Sequence, residues 1–217
     1  MDELELKSIW SAYDKKLERS LRLNIRMFED LQTGKAKSKL NALLSIKVVG
    51  VVIGILWVAF LGFLVFAVNI KNLWFSGSVL LIMIFTVIAI VRYIDHIILI
   101  NQINYTESIT NTQAKLAELQ LSTIHTTRFV WLQLPFYATF FWNTQWITEG
   151  DKGFWLIAFP IAVLLALLAI WLYKNITPEN LHKNWVKKFM MIGMEYQYAL
   201  SASELLQEIE EFKKDEA

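Results

Sequence analysis

The sequence predicts an all-α integral membrane protein with four transmembrane helices and cytoplasmic helical extensions. Three observations point there. The 217 residues are 55% hydrophobic, 14% aromatic and only 19% charged, with a mean hydropathy of +0.40, more apolar than a soluble domain of this length. Four uncharged runs each come close to the roughly 20 residues that a helix rising about 1.5 Å per residue needs to cross about 30 Å of hydrocarbon. The basic residues are crowded into alternate connections between those runs, as the positive-inside rule requires of a multi-pass chain.

Residues 1–45 are charged throughout and lack the apolar core of a signal peptide. Leu6, Trp10, Tyr13, Leu17, Leu21, Ile25, Phe28 and Leu31 recur at helical spacing and predict one apolar face of a helix of about 30 residues, interrupted near Gly34. That face either packs on the protein's own cytoplasmic helices or is offered to lipid or a protein partner. The transmembrane region is assigned to residues 46–174, with spans at 48–68, 73–91, 129–147 and 154–173. Val48 to Val68 has no polar side chain, and Phe154 to Tyr173 has only the terminal phenol. Leu73 to Val91 is diluted by Ser76, Ser78 and Thr86, while Phe129 to Ile147 carries Gln133, Asn143, Thr144 and Gln145. Pro135 and Pro160 remove backbone donors and predict kinks in the last two spans. Gly50, Gly54 and Gly62 present a bare edge on the first span for close helix approach, within the chain or at a homo-oligomer seam.

Ten Lys and Arg precede the first span, while the first and third loops hold only Lys71 and Lys152. Both termini and the connector 92–128 are therefore expected in the cytoplasm, in a bacterial inner membrane. Trp74, Trp142, Trp146 and Trp155 would mark the outer interface, Trp131 and Trp171 the inner one. In the connector, Asn104 and Glu107 fit a capping box that starts a helix from about Tyr105 to Leu121, with Ser122 and Thr123 opening the third span. The tail, 175–217, opens on Thr177-Pro178-Glu179, a strong helix start. Leu181, Trp185, Phe189, Ile192 and Tyr196 follow at helical spacing, and Lys183, Lys187 and Lys188 suit phospholipid headgroups. From Glu204 six acids against Lys213 and Lys214 predict a solvated, fraying end.

Little in the chain suggests chemistry. Without cysteine there are no thiolate sites. His96, His125 and His182 lack ligand spacing, so no metal or cofactor is expected. No ionisable group lies inside a span, as a proton pump or intramembrane enzyme would place one, and no glycine loop cradles phosphate. A net charge of +1 argues against direct nucleic-acid binding. The chain does not read as an enzyme.

Trp10 to Leu17, Leu21, Leu23, Asn24, the run Lys35 to Leu40, Ile103 to Ser108 and Gln133-Leu134-Pro135-Phe136 together resemble the small four-span membrane proteins of Bacteroidetes over the whole chain. Members of that family are often encoded beside sigma factors of the extracytoplasmic-function type, so the resemblance implies an anti-sigma or sigma-associated regulator. The chain departs from better-known anti-sigma proteins in having no His-Cys-Cys zinc motif and no outer sensor domain. The leading expectation is an inner-membrane regulatory or scaffolding protein that binds a cytoplasmic partner, a sigma factor by that resemblance. Trp10, Tyr13, Leu17 and Leu21 would be its anchors, with Asp14 and Asn24 at the rim. A small transporter or channel subunit is the alternative, resting on Gln133 and the two prolines.

Overall fold

A computed structural model describes residues 3–68, 72–104 and 109–215, which form helices and turns with no strand among them. The first helix, α1 (Glu3–Val68), has 66 residues and is about 100 Å long at 1.5 Å per residue. It runs straight through Gly34, correcting the expected interruption. One helical glycine costs only about 1 kcal/mol, and Ala36, Leu40 and Leu43, buried just beyond it, hold the helix in register.

Helix α2 (Leu73–Asn101) starts at Asn72, whose side-chain oxygen accepts from the amides of Trp74 and Phe75. It returns antiparallel to α1 along the glycine edge. A Cβ on Gly50 would lie 2.7 Å from the Tyr93 ring and one on Gly54 2.9 Å from Ile90, while Gly62 faces Met83. The bare edge is thus occupied by the chain's own second helix, not left as a homo-oligomer seam.

Helix α3 (Ile109–Val130) turns the chain again. Of the expected capping box, Glu107 lies outside the described residues. The predicted break at Ser122 and Thr123 does not occur: Thr123 and Thr127 donate their hydroxyls back to the carbonyls of Leu119 and Thr123, which satisfies them inside a continuous helix. The expected third span, Phe129 to Ile147, is not a single helix. The Pro135 ring cannot donate to the Trp131 carbonyl, so the amide of Leu134 takes it in a 3₁₀ turn over Trp131–Gln133. Short helices α4 (Leu134–Thr139) and α5 (Thr144–Thr148) follow, the second capped by Asn143. Together with the second half of α3, this broken segment retraces α2 along most of its length. His96 meets Ser122, Phe85 meets Phe129 and Phe136, Ser78 meets Thr139, and Trp74 meets Trp142.

Gly150, at φ +68°, makes the next reversal. Ahead of Pro160 the chain widens into a π turn, Phe154–Ala158, before α6 (Phe159–Asn175); the amide of Phe159 reaches back five residues to Phe154. Three helices, α1, α2 and the stretch Phe154–Asn175, are long and apolar enough to cross a membrane. Their outward faces are apolar as well, with Leu56, Phe63, Leu80, Leu156 and Leu164 all exposed. Such a surface suits lipid and not water.

The tail is less regular than its start signal predicts. Thr177 makes no cap bond, and Pro178–His182 form only a 3₁₀ turn. The Thr177 hydroxyl serves the Glu179 carboxylate instead, holding that acid below its usual range. Helices α7 (Asn184–Ile192) and α8 (Met194–Asp215) are split at Gly193, whose backbone is extended. From Glu204 to Phe212 α8 is packed along one face, which corrects the expectation of a solvated end over that stretch. Ala199, Ala202, Leu206 and Ile209 are buried against Leu40, Leu43, Ile100 and Leu116 from α1, α2 and α3, while Glu204, Glu208 and Glu211 are exposed. A second core joins Ile124, Leu172, Ile176, Val186 and Met190.

Candidate functional site

The N-terminal part of α1 is where the fold leaves work undone. From Phe28 onward α8 lies alongside it: Phe28 stacks on Phe212 at 4.5 Å, and the Gln32 amide donates to Glu208. α8 is described to Asp215, three residues past Phe212, and α1 projects beyond the described residues of α8 by roughly 30 Å, counting about 20 residues at 1.5 Å each. On the overhang Trp10 is 66%, Tyr13 69% and Leu17 71% exposed. Asp14 and Asn24 are exposed beside them, while Leu21 and Ile25 are partly covered. The anchor residues are therefore not part of the protein's own core. Leu23 and Met27, which the stripe omits, are exposed too and widen the apolar surface. Arg22 and Glu18, an i,i+4 pair at 2.8 Å, support the helix from its solvated side.

At the opposite end of the covered stretch sits a charged node that inspection of the sequence missed. Lys47, the last charge before the apolar run of α1, is 0% exposed. Its Nζ lies 2.6 Å from the Glu195 carboxylate and 4.0 Å from the centre of the Tyr93 ring. The Tyr93 hydroxyl donates to the other oxygen of Glu195 at 2.7 Å. Three residues from α1, α2 and α8 thus satisfy one another in the interior, which an unpaired ammonium there could not survive. Only the tertiary fold brings positions 47, 93 and 195 together. Lys47 at the foot of a span looked like one more basic flanking residue.

The remaining polar residues are dispersed. Nε2 of His96 pairs with Ser122 at 2.7 Å, and Nδ1 of His182 lies 2.6 Å from the Glu179 carbonyl. His125 is exposed on α3. Among the described residues no three His, Asp or Glu side chains gather where they could hold a metal. The Asn143 side chain caps α5 by accepting from the backbone amide of Gln145, whereas Gln133 leaves its side-chain oxygen buried without a partner among the described residues.

No protein-family model, curated protein or solved structure matches this chain. What the geometry offers is a surface for binding: an aromatic, exposed helix carried on a packed bundle.

Proposed function

We propose that the protein is a regulatory or scaffolding protein of the bacterial inner membrane that holds a cytoplasmic protein partner on the overhanging helix of α1. The observation that carries this reading is the exposure of Trp10, Tyr13 and Leu17 on a helix whose stripe is partly covered at Leu21, Ile25 and Phe28. Large aromatics on one face are the anchors that helix-in-groove contacts use. The sequence resemblance makes a sigma factor the partner of choice, and the protein then acts by keeping that partner at the membrane, without catalysis. In this reading both termini are cytoplasmic, and the broken segment 129–147 crosses the bilayer with the three long helices, its exposed backbone groups satisfied by turns and caps within the bundle.

The test is a crosslinking pull-down from native membranes with Trp10→Ala and Tyr13→Ala combined. Partner recovery falls by an amount equivalent to about 2 kcal/mol or more, with the melting temperature in detergent unchanged. Unchanged recovery would remove the role assigned to this helix. For the topology, alkaline phosphatase fused after residue 217 is inactive and fused near residue 151 is active; the reverse pattern overturns the orientation.

A second reading, a small transporter or channel subunit, is favoured by one observation. The unpaired oxygen of Gln133 borders a cavity of about 300 Å³ shared with Gly54, Thr86 and Tyr137, beside a broken helix of the kind transporters use. Solute flux into proteoliposomes that Gln133→Leu abolishes would establish it.

A further inference from the structure

We infer that a groove between α2, α3 and the end of α6 is a binding site for one anionic phospholipid of the leaflet that faces the two termini. The groove encloses about 820 Å³, within the range of about 300–1,000 Å³ that small-molecule sites occupy. Three elements line it, and each changes from apolar to charged at the groove. In α2 the uncharged run ends at Val91 and Arg92 follows; in α3 Arg128 precedes Phe129; in α6 the run closes at Tyr173, before Lys174. The groove therefore straddles the level at which hydrocarbon gives way to headgroups.

Its two halves match the two halves of a phospholipid. Ile88, Ala89 and Phe129 form the side that continues the apolar runs and would take the start of the acyl chains. Arg92, Arg128 and His125 form the polar side, where a phosphate diester would receive charge-assisted hydrogen bonds from the guanidinium groups. Both arginines are placed for this. The Arg92 side chain is 59% exposed and only loosely paired with Asp95 at 3.7 Å. Arg128 is held over the Tyr173 ring, 4.8 Å from its centre, which orients its planar head without using its donors. Glu118 is the one acid in the lining and Asp95 stands beside Arg92, so the site has no net excess of positive charge; its two guanidinium groups still suit a headgroup whose one charge is the phosphate diester better than a zwitterion, whose ammonium would be brought up against them. The inference rests on the membrane placement of the apolar helices and is independent of partner binding by α1.

The experiment reconstitutes the full chain in nanodiscs containing equal amounts of phosphatidylglycerol and phosphatidylethanolamine with the same acyl chains, then counts lipids retained after transfer to mild detergent by native mass spectrometry. The native chain keeps one phosphatidylglycerol, preferred by at least about tenfold. Arg92→Gln with Arg128→Gln reduces the preference to near unity, as does Ala117→Trp, which fills the groove from an exposed position on α3 and leaves both arginines in place. Replacing Lys183, Lys187 and Lys188 by Gln, on the separate basic surface of α7, leaves the preference intact. Several results would overturn the inference: no preference in the native chain, a preference for phosphatidylethanolamine, loss in the α7 variant with retention in the arginine variant, or displacement of the lipid by inorganic phosphate, which would mark a site for a free anion. Melting temperature in detergent is recorded for every variant. If the double arginine variant does not fold, the groove-filling variant decides.

Discussion

Residues 7–27 and residues 28–47 are consecutive parts of one helix and carry one apolar stripe, yet they live in different surroundings. In the second part the face that continues the stripe is covered from Gln32 onward, although Leu31 is 55% exposed: Ala36, Leu40 and Leu43 are fully buried among residues from three other helices, and Lys47 is sealed by Glu195 and Tyr93. In the first part Trp10, Tyr13 and Leu17 are exposed, with no packed neighbour helix among the described residues. The residue types differ in keeping with this. Small and branched side chains let helices approach closely in the covered part, whereas the free part has the amphipathic aromatics that are enriched at protein interfaces. Helical periodicity identifies a face; it does not say what, if anything, sits on it.

The contrast can be broken at several points. Glu195→Ala has the largest expected effect, because it leaves the Lys47 ammonium buried and unpaired; a loss of about 3 to 5 kcal/mol is expected, measured as a fall in melting temperature in detergent that Lys47→Met combined with Glu195→Ala partly restores. Failure of the double variant to recover would mean that the node is not held together by charge. Next comes Leu40→Ala in the covered part, which should cost about 2 to 5 kcal/mol through lost contacts and the cavity left behind. A loss under about 0.5 kcal/mol would mean that α8 does not pack there as described.

Two further substitutions sharpen the comparison at smaller scale. Gly50→Ala forces a methyl against the Tyr93 ring, and overpacking of this kind costs about 1 to 3 kcal/mol. Gly34→Ala meets nothing within 4 Å and should raise stability by up to about 1 kcal/mol through helix propensity. Opposite signs for these two glycines are the outcome to look for. Smallest of all, Leu17→Ala on the overhang should change stability by no more than about 0.5 kcal/mol; a drop comparable to Leu40→Ala would show that the free part is covered after all.

Much of this was legible from residue order. The helical periodicity of α1, the glycine edge open to close helix approach and the effect of Pro135 on the Trp131 carbonyl all follow from local geometry and recur in the fold, although only the fold shows that α2 takes the glycine edge. Where reading failed, the deciding partner was distant in sequence. Thr177-Pro178-Glu179 has the residues of a helix start, but the chain there must leave α6 and turn under it, where Trp171 stacks on Trp185 at 4.9 Å. The acids from Glu204 onward suggest a solvated end, because the inward positions Leu206 and Ile209 between them gain meaning only once α1 is beside them.

By itself the sequence determined the helical class, the placement of three long apolar helices and the concentration of basic residues around them, because apolar length, backbone propensity and charge are properties of contiguous residues. The tertiary structure alone decided which stretch of the α1 stripe is core and which is surface, that Lys47 finds its counter-charge 148 residues away, and that the segment after Phe129 is broken but still returns along α2. Each of these depends on which helices come to lie against one another, and the free energy of burying a side chain belongs to that pairing of surfaces and not to either strip of sequence.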